Sequence, residues 1–162
     1  MEETFAPDDP SGKTNTMFMQ NDDKKNIETV ERFYKAISRG DLATARRILD
    51  REVEWIESDR TALWFRGTHH GACTVFNEVI LPAYGWIADF RMELDQFLAV
   101  GEHVVAIGRF RGQAKTTDRE LNALATHVWT LHEGRAMRVQ TFNDPRDWSK
   151  VLNQGEAQEA AA

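Results

Sequence analysis

The sequence predicts an α+β domain in which helices pack on one face of a curved, mostly antiparallel sheet. Three observations predict this fold class. Helical spacing of apolar residues prevails in the first half of the chain, and two-residue alternation prevails in the second half. Short turn sequences such as Gly101-Glu102 separate the alternating segments, so these segments are expected to pair as antiparallel neighbours.

Two helices are predicted to open the domain. The first has Asn21 or Asp22 as its cap and ends at Gly40. Asp41 is then predicted to cap a shorter second helix. The inner faces of these helices are predicted to consist of Ile27, Val30, Phe33, Tyr34 and Ile37 in the first and of Leu42, Ala45, Ile48 and Leu49 in the second.

A short strand pair and a third helix are predicted next. Residues 53–57 alternate as a strand does, and residues 62–66 are the expected partner strand. Residues 67–71 are predicted to form a turn that leads into the third helix. Pro82 and Gly85 are expected to mark the end of that helix.

Four long strands are predicted to complete the sheet, over residues 90–100, 103–113, 120–132 and 136–143. The third of them has the clearest alternation in the chain. One side of it is apolar except for a single histidine, and that side consists of Leu121, Ala123, Ala125, His127, Trp129 and Leu131. Such a pattern predicts a strand with one face against a core or cavity. His127 is therefore the best candidate for chemistry.

The register of the last hairpin, which turns at residues 132–134, decides which residues lie beside His127. A two-residue turn would place there Arg138, Gln140 and Phe142. A three-residue loop with Gly134 in the left-handed conformation, followed by a bulge, would place there Met137, Val139, Thr141 and Asn143. We favour the second register because it keeps the inner face mostly apolar, and a one-residue slip would invert the whole strand.

Composition and charge limit the function. The net charge is -6 and no basic stripe offsets it, which argues against nucleic-acid binding. No apolar run approaches membrane-spanning length, and the N-terminus lacks the layout of a signal peptide. The single cysteine, Cys73, excludes an internal disulfide and fits a cytoplasmic location. Residues 1–21 and 154–162 are predicted to be disordered tails around one domain at residues 22–153.

No metal ion or other cofactor is expected. His69 and His70 are neighbours on the predicted turn, and no third ligand stands at a recognisable spacing. Asp144 lies seventeen residues after His127, but Pro145 follows it directly. That order is typical of a helix start, so Asp144 is predicted to cap a final helix and not to act in catalysis.

Several segments together resemble one superfamily: ERFYKAISRGDL, RGTHHG, GEHVVAIGRFRG, HVWTLHEGR and FND. With these segments, residues 22–152 resemble the SnoaL-like branch of the nuclear-transport-factor-2-like superfamily, which is related to polyketide cyclases and ketosteroid isomerases. The resemblance implies a conical barrel, with the curved sheet wrapped around three N-terminal helices and a pocket at the open end. It also implies a homodimer formed through the outer face of the sheet.

The catalytic groups of the related enzymes match this chain only in part. The general-base Asp of ketosteroid isomerases matches Trp55, their oxyanion-hole Tyr matches Phe33 with Tyr34 adjacent, and their second donor matches His127. The His and Asp of SnoaL-type cyclases match His127 and Thr141. The resemblance therefore implies a binding pocket but transfers no complete mechanism.

Two hypotheses follow from this pattern. The first is an isomerase-, cyclase- or lyase-type enzyme that transfers protons with His127 and needs no cofactor. The second is a non-catalytic ligand-binding or dimerisation module of the same fold. In both, the ligand is a small, mostly apolar organic molecule with a polar group, and the residues expected to bind it are Phe33, Tyr34, Trp55, Trp64, Trp129, Thr141 and Asn143.

Overall fold

The structure is a computed structural model that describes residues 21–61 and 63–152. The predicted tails lie outside these residues, except that Asn21 belongs to the first helix. The helices are α1 (Asn21–Arg39), α2 (Leu42–Ile48), α3 (Ala72–Val75), a π-helical segment (Phe76–Ile80), α4 (Leu81–Trp86) and α5 (Pro145–Leu152). The strands are β1 (Leu49–Ile56), β2 (Thr68–His70), β3 (Ile87–Val100), β4 (His103–Ala114), β5 (Glu120–His132) and β6 (Arg135–Asn143).

The six strands form one curved sheet in the order β2-β1-β6-β5-β4-β3. All neighbouring strands are antiparallel except β1 and β6, which run parallel. Strands β2 and β3 form the two edges, so the conical barrel stays open between them. The predicted α+β class with a mostly antiparallel sheet is confirmed. Within the described residues, no helix has the length and apolar character needed to span a membrane.

Helix α1 lies against the sheet because its apolar residues fall on one side. Val30, Phe33 and Ile37 are buried in the core. Its N-terminal end is fixed to the β3–β4 turn, where the Gly101 N–H donates to Asp23 Oδ1 at 2.8 Å. As predicted, Asp41 caps α2, because its Oδ1 accepts from the Thr44 N–H at 3.1 Å.

The predicted partner of β1 was wrong. Residues 68–70 pair with β1, whereas residues 63–66 form a turn without a strand. The apolar pattern that suggested a strand reflects burial alone, since Leu63 and Phe65 are buried in the core. Trp64 and Phe65 pack edge-on against Trp148, with ring centroids 5.6 and 5.4 Å away. The loop therefore buries its apolar side chains without pairing.

The third helix ends at Trp86, one residue after Gly85, but Pro82 lies inside it and does not end it. Its middle is a π-helical segment, closed by the Leu81 N–H donating to Phe76 O. Pro82 then stands in the first turn of α4, where a missing N–H costs little. A proline that suggested a stop therefore marks the change from π to α geometry.

In the β5–β6 hairpin, most of the predicted β6 residues lie beside the inner face of β5, but the turn has two residues and not three. Glu133 and Gly134 both have positive φ, at 47° and 75°, and form a two-residue turn. The register shifts by one residue next to the turn. Leu131 pairs with Ala136, but Thr130 pairs with Arg138, so Met137 has no partner and forms a β-bulge. Val139, Thr141 and Asn143 then pair with the inner residues of β5, as predicted. Met137 does not, and its side chain is exposed.

Strand β3 bends over β4 at Gly108. The register between these strands shifts after Leu94, which pairs with Gly108. A Cβ atom at Gly108 would lie 2.1 Å from the Glu93 carbonyl oxygen, which is far inside van der Waals contact. Only glycine therefore permits this approach, and the resulting bend curves the sheet around the helices.

Candidate functional site

A largely apolar cavity lies between the inner face of the sheet and the helices. The space inside it that admits the centres of water-sized molecules is about 60 Å³. Tyr34, Glu57, His127 and Asn143 bring polar groups to its lining. The other lining residues are Phe33, Ile37, Trp55, Trp64, Phe65, Val79, Ile80, Ala83, Phe90, Met92, Phe110 and Trp148. Such a cavity suits a small apolar molecule that is oriented by a few polar contacts.

His127 lies on the inner face of β5, where the alternation placed it. It is 2% exposed, and its Nδ1 is 2.6 Å from the Tyr34 hydroxyl oxygen. That oxygen also accepts from the Trp129 indole N–H at 2.9 Å. Because the described residues offer the Tyr34 hydroxyl no other acceptor, its proton goes to His127 Nδ1. The neutral imidazole consequently carries its own proton on Nε2.

The Nε2 atom of His127 has no hydrogen-bond partner among the described residues, although it is buried. Burial lowers the pKa of His127 to about 3, so the ring is uncharged at neutral pH. Burial likewise raises the pKa of Tyr34 well above its usual value of 10, which keeps the phenol protonated. His127 is thus a fixed neutral donor whose Nε2–H is free for a ligand acceptor.

Glu57 is a buried carboxyl group in the same cavity, and sequence reasoning did not select it. It follows the end of β1 and is 8% exposed. Its Oε1 accepts from the Trp55 indole N–H at 2.8 Å, and its Oε2 lies beside the Thr141 hydroxyl and 3.5 Å from Asn143 Nδ2. Burial raises the pKa of Glu57, although these hydrogen bonds and the nearby His69 oppose the effect.

The alternation of β1 contained a signal for Glu57. Val53, Trp55 and Glu57 are two residues apart and all buried, so they share the inner face. A carboxyl group that continues an inward-facing apolar series is rare without a function or a partner. The resemblance placed the general base of ketosteroid isomerases at Trp55, and Glu57 lies two residues further along the same face.

The structure brings most of the predicted ligand-binding residues together. Lining positions are occupied by Phe33, Tyr34, Trp55, Trp64, Asn143 and the candidate catalytic His127. Trp129 and Thr141 lie behind that lining: Trp129 supports Tyr34, and the hydroxyl of Thr141 is within hydrogen-bond distance of Ile56 O and Glu57. These two residues can therefore act on a ligand only through Tyr34 and Glu57.

His69 holds the loop that covers the cavity. Its Nδ1 is 2.9 Å from Glu78 Oε2, and its Nε2 is 3.0 Å from the Phe65 carbonyl oxygen. Across residues 21–61 and 63–152, no group of three or more His, Cys, Asp or Glu side chains could hold a metal ion. His69 therefore links the loop to the third helix.

Asp144 caps α5 as predicted. Its Oδ1 accepts from the Arg146 N–H at 2.9 Å, and Pro145 is the first residue of that helix. The Arg146 guanidinium is 2.7 Å from Oδ2, and its hydrogen bonds lower the pKa of Asp144 to about 2. Asp144 does not line the cavity, so it plays no part in the candidate site.

An open conical α+β barrel with an apolar pocket on the inner face of its sheet is the arrangement of the NTF2-like proteins. The SnoaL-like domain model matches residues 30–139, which is more than half of the 162-residue chain. The chain belongs to the SnoaL-like domain family. Among proteins with curated descriptions, none matches it.

Solved structures agree with this fold. An NTF2-like protein of unknown function from Burkholderia pseudomallei is 29% identical with a TM-score of 0.71, over 78% of this chain and 96% of that one. TerC, co-crystallised with polyporic acid, is 19% identical with a TM-score of 0.71; the match covers 80% of this chain and 98% of TerC. A putative SnoaL-like polyketide cyclase from Jannaschia sp. CCS1 is 14% identical with a TM-score of 0.70; the match covers 82% of this chain and 94% of that one. The last two likenesses concern the fold alone.

Proposed function

We propose that this protein binds a small, mostly apolar carbonyl compound in the cavity and catalyses proton transfer on it without a cofactor. One observation carries the proposal. An unpartnered neutral N–H donor, on His127, and a buried carboxyl group, on Glu57, line the same apolar cavity. A carboxyl group of raised pKa beside a fixed donor suits proton abstraction next to a carbonyl.

In this mechanism, the Glu57 carboxylate accepts a proton from a carbon next to the substrate carbonyl. The electron pair of that C–H bond forms the C=C bond of an enolate, and negative charge develops on the oxygen. The Nε2–H of His127 donates to that oxygen and stabilises the charge. Glu57 then returns the proton, either to the same carbon or to another position, and so completes an exchange or an isomerisation.

The surroundings support these roles. Tyr34 and Trp129 keep the proton of His127 on Nε2, so the donor needs no rearrangement during the reaction. Thr141 and Trp55 hold the two oxygens of Glu57 in place. Proteins of the same fold include one described as a putative SnoaL-like polyketide cyclase, and TerC, which was co-crystallised with polyporic acid. Both facts favour an organic ligand over a macromolecule.

Exchange of the activated hydrogens of 2-tetralone with solvent is the first test. We expect saturable binding, seen as a rise in the melting temperature, and deuterium uptake above the buffer rate in D₂O, followed by NMR. His127→Asn, which keeps an acceptor for the Tyr34 hydroxyl, should slow the exchange about 10- to 100-fold because its shorter side chain does not bring an N–H donor to the position of Nε2. Equal melting shifts for both proteins, with no exchange above buffer, would contradict the proposed catalysis.

A ligand-binding protein without catalysis is the second candidate, and the contacts of Glu57 favour it. Its oxygens lie beside three protein donors, on Trp55, Thr141 and Asn143, which leaves little capacity for a substrate proton. On this interpretation Glu57 holds β1 and β6 together. The exchange experiment separates the two candidates, because binding without exchange supports this one.

We also propose that two copies of the chain pair through the outer face of the sheet. Leu98, Leu124 and Phe142 project from β3, β5 and β6 on the face opposite His127, and each is about half exposed. Light scattering at micromolar concentration should give the mass of a dimer, and Leu124→Glu should give that of a monomer. A monomeric wild-type protein would overturn this proposal.

A further inference from the structure

Trp148 carries the other buried side-chain polar atom that has no hydrogen-bond partner among the described residues, its indole Nε1. The residue is 2% exposed and lies on α5, outside every position that the resemblance assigns. A buried N–H group without a hydrogen-bond partner destabilises the folded protein. The N–H group of Trp148 therefore needs an explanation.

The other buried or half-buried indole N–H groups of this site all have a hydrogen-bond acceptor. The Nε1–H of Trp55 donates to Glu57, that of Trp64 donates to Val79 O at 3.1 Å, and that of Trp129 donates to Tyr34. Trp86 is 39% exposed and can reach solvent. Trp148 alone among these five keeps a buried N–H without a protein acceptor, although it lines the cavity.

The two unpartnered donors lie along one stretch of the cavity wall. The Phe110 ring centroid is 5.5 Å from that of His127 and 5.3 Å from that of Trp148. The other aromatic rings in contact with Trp148 are those of Trp64, Phe65 and Phe90, and no described residue accepts a hydrogen bond from its Nε1–H. Both unpartnered donors therefore belong to rings next to Phe110, so a molecule that packs on Phe110 lies near both of them.

We propose that Trp148 is a ligand-binding residue whose Nε1–H donates to a second acceptor oxygen of the ligand. The ligand class is consequently a flat, mostly apolar ring compound with oxygen acceptors at opposite edges, such as a cyclic dicarbonyl or hydroxycarbonyl compound. This inference rests on the proposed function in one respect, since the first oxygen is the one that His127 receives. Of the two oxygens, the one at His127 is the reacting carbonyl, and the one at Trp148 sets the orientation.

Two probes of related skeleton test the inference: ketoisophorone, with carbonyl groups at opposite ends of one ring, and isophorone, with a single carbonyl group. Trp148→Phe should weaken ketoisophorone binding about three- to tenfold, the value of one neutral hydrogen bond, and leave isophorone binding unchanged. The matched control is Trp86→Phe, which removes an exposed indole and should change neither affinity.

Indole N–H signals in ¹⁵N NMR spectra give a readout that does not depend on the variant's stability. The Trp148 signal, identified by its loss in Trp148→Phe, should move downfield with ketoisophorone and much less with isophorone. An unmoved signal, no saturable binding of ketoisophorone, or equal weakening of both probes would overturn the inference and leave the Trp148 N–H directed at a neighbouring ring. The test of catalysis is separate. If Trp148→Phe weakened ketoisophorone binding alone but the wild-type protein did not exchange the hydrogens of 2-tetralone, only the proposed reaction would be refuted.

Discussion

Glu57→Gln should lower the rate of 2-tetralone proton exchange about 100- to 10,000-fold, the usual contribution of a general base. The amide has nearly the same shape but accepts no proton at neutral pH. Its carbonyl oxygen can still accept from the Trp55 indole, so the fold should persist. Exchange rates at saturating 2-tetralone, with melting curves of both proteins, measure the effect.

Glu54→Gln is the matched control for this prediction. Glu54 lies on the same strand but pairs with Arg138 at 3.1 Å on the outer surface, away from the cavity. The control variant should retain the wild-type exchange rate. If Glu57→Gln exchanged as fast as Glu54→Gln, Glu57 would not be the base, and its role would be to hold β1 and β6 together.

The pH dependence of exchange provides a second signature of Glu57. Only the carboxylate form accepts a proton, so the rate should rise with pH through the pKa of Glu57. Because burial raises that pKa, the midpoint should lie above the ordinary value of 4.5. The rise should be absent in Glu57→Gln, whose remaining rate should follow the solvent-catalysed reaction.

Acidification from pH 6.5 towards pH 3 should destabilise the protein through His127. The pKa of this residue is about 3 in the folded protein and about 6.5 in the unfolded chain. Between these values the unfolded chain binds a proton that the folded protein does not, so the free energy of unfolding falls as the pH falls. One proton contributes at most about 1.4 kcal/mol per pH unit.

Denaturant unfolding of wild type and His127→Asn across pH 3 to 8 measures this effect. The difference between the two profiles isolates His127, because Glu57 and the surface groups titrate in both proteins. Glu57 itself acts in the opposite direction: its raised pKa means that stability falls as the pH rises above the unfolded value. Parallel profiles for the two proteins would show that His127 binds a proton in the folded protein as readily as in the unfolded chain, which would contradict the lowered pKa of the buried ring.

The inner face of β5 could be predicted from the alternation of apolar and polar residues alone. Leu121, Ala123, Ala125, His127 and Trp129 were predicted to face inwards, and all are buried. Successive side chains of a strand point to opposite faces of the sheet. When one set is apolar, only one orientation of the strand buries that set. The capping role of Asp144 could be predicted for a similar reason, since it depends on residues next to it in the chain.

The strand partner of β1 could not be predicted in this way. The apolar side chains of Trp64 and Phe65 pack against Trp148, which lies more than eighty residues away in sequence. An apolar pattern reports burial but does not identify the surface that causes it. The turn predicted at residues 67–71 contains β2, which is the neighbour of β1 on the side away from β6.

The sequence by itself determined the fold class, the inward position of His127 and the caps of α2 and α5, because local spacing and short-range hydrogen bonds fix them. The tertiary structure decided which groups share the cavity. Glu57, Trp148 and the Tyr34–His127 hydrogen bond come from elements far apart in the chain. Their protonation and free hydrogen-bonding capacity depend on burial and on partners, and these exist only when the sheet curves around the helices.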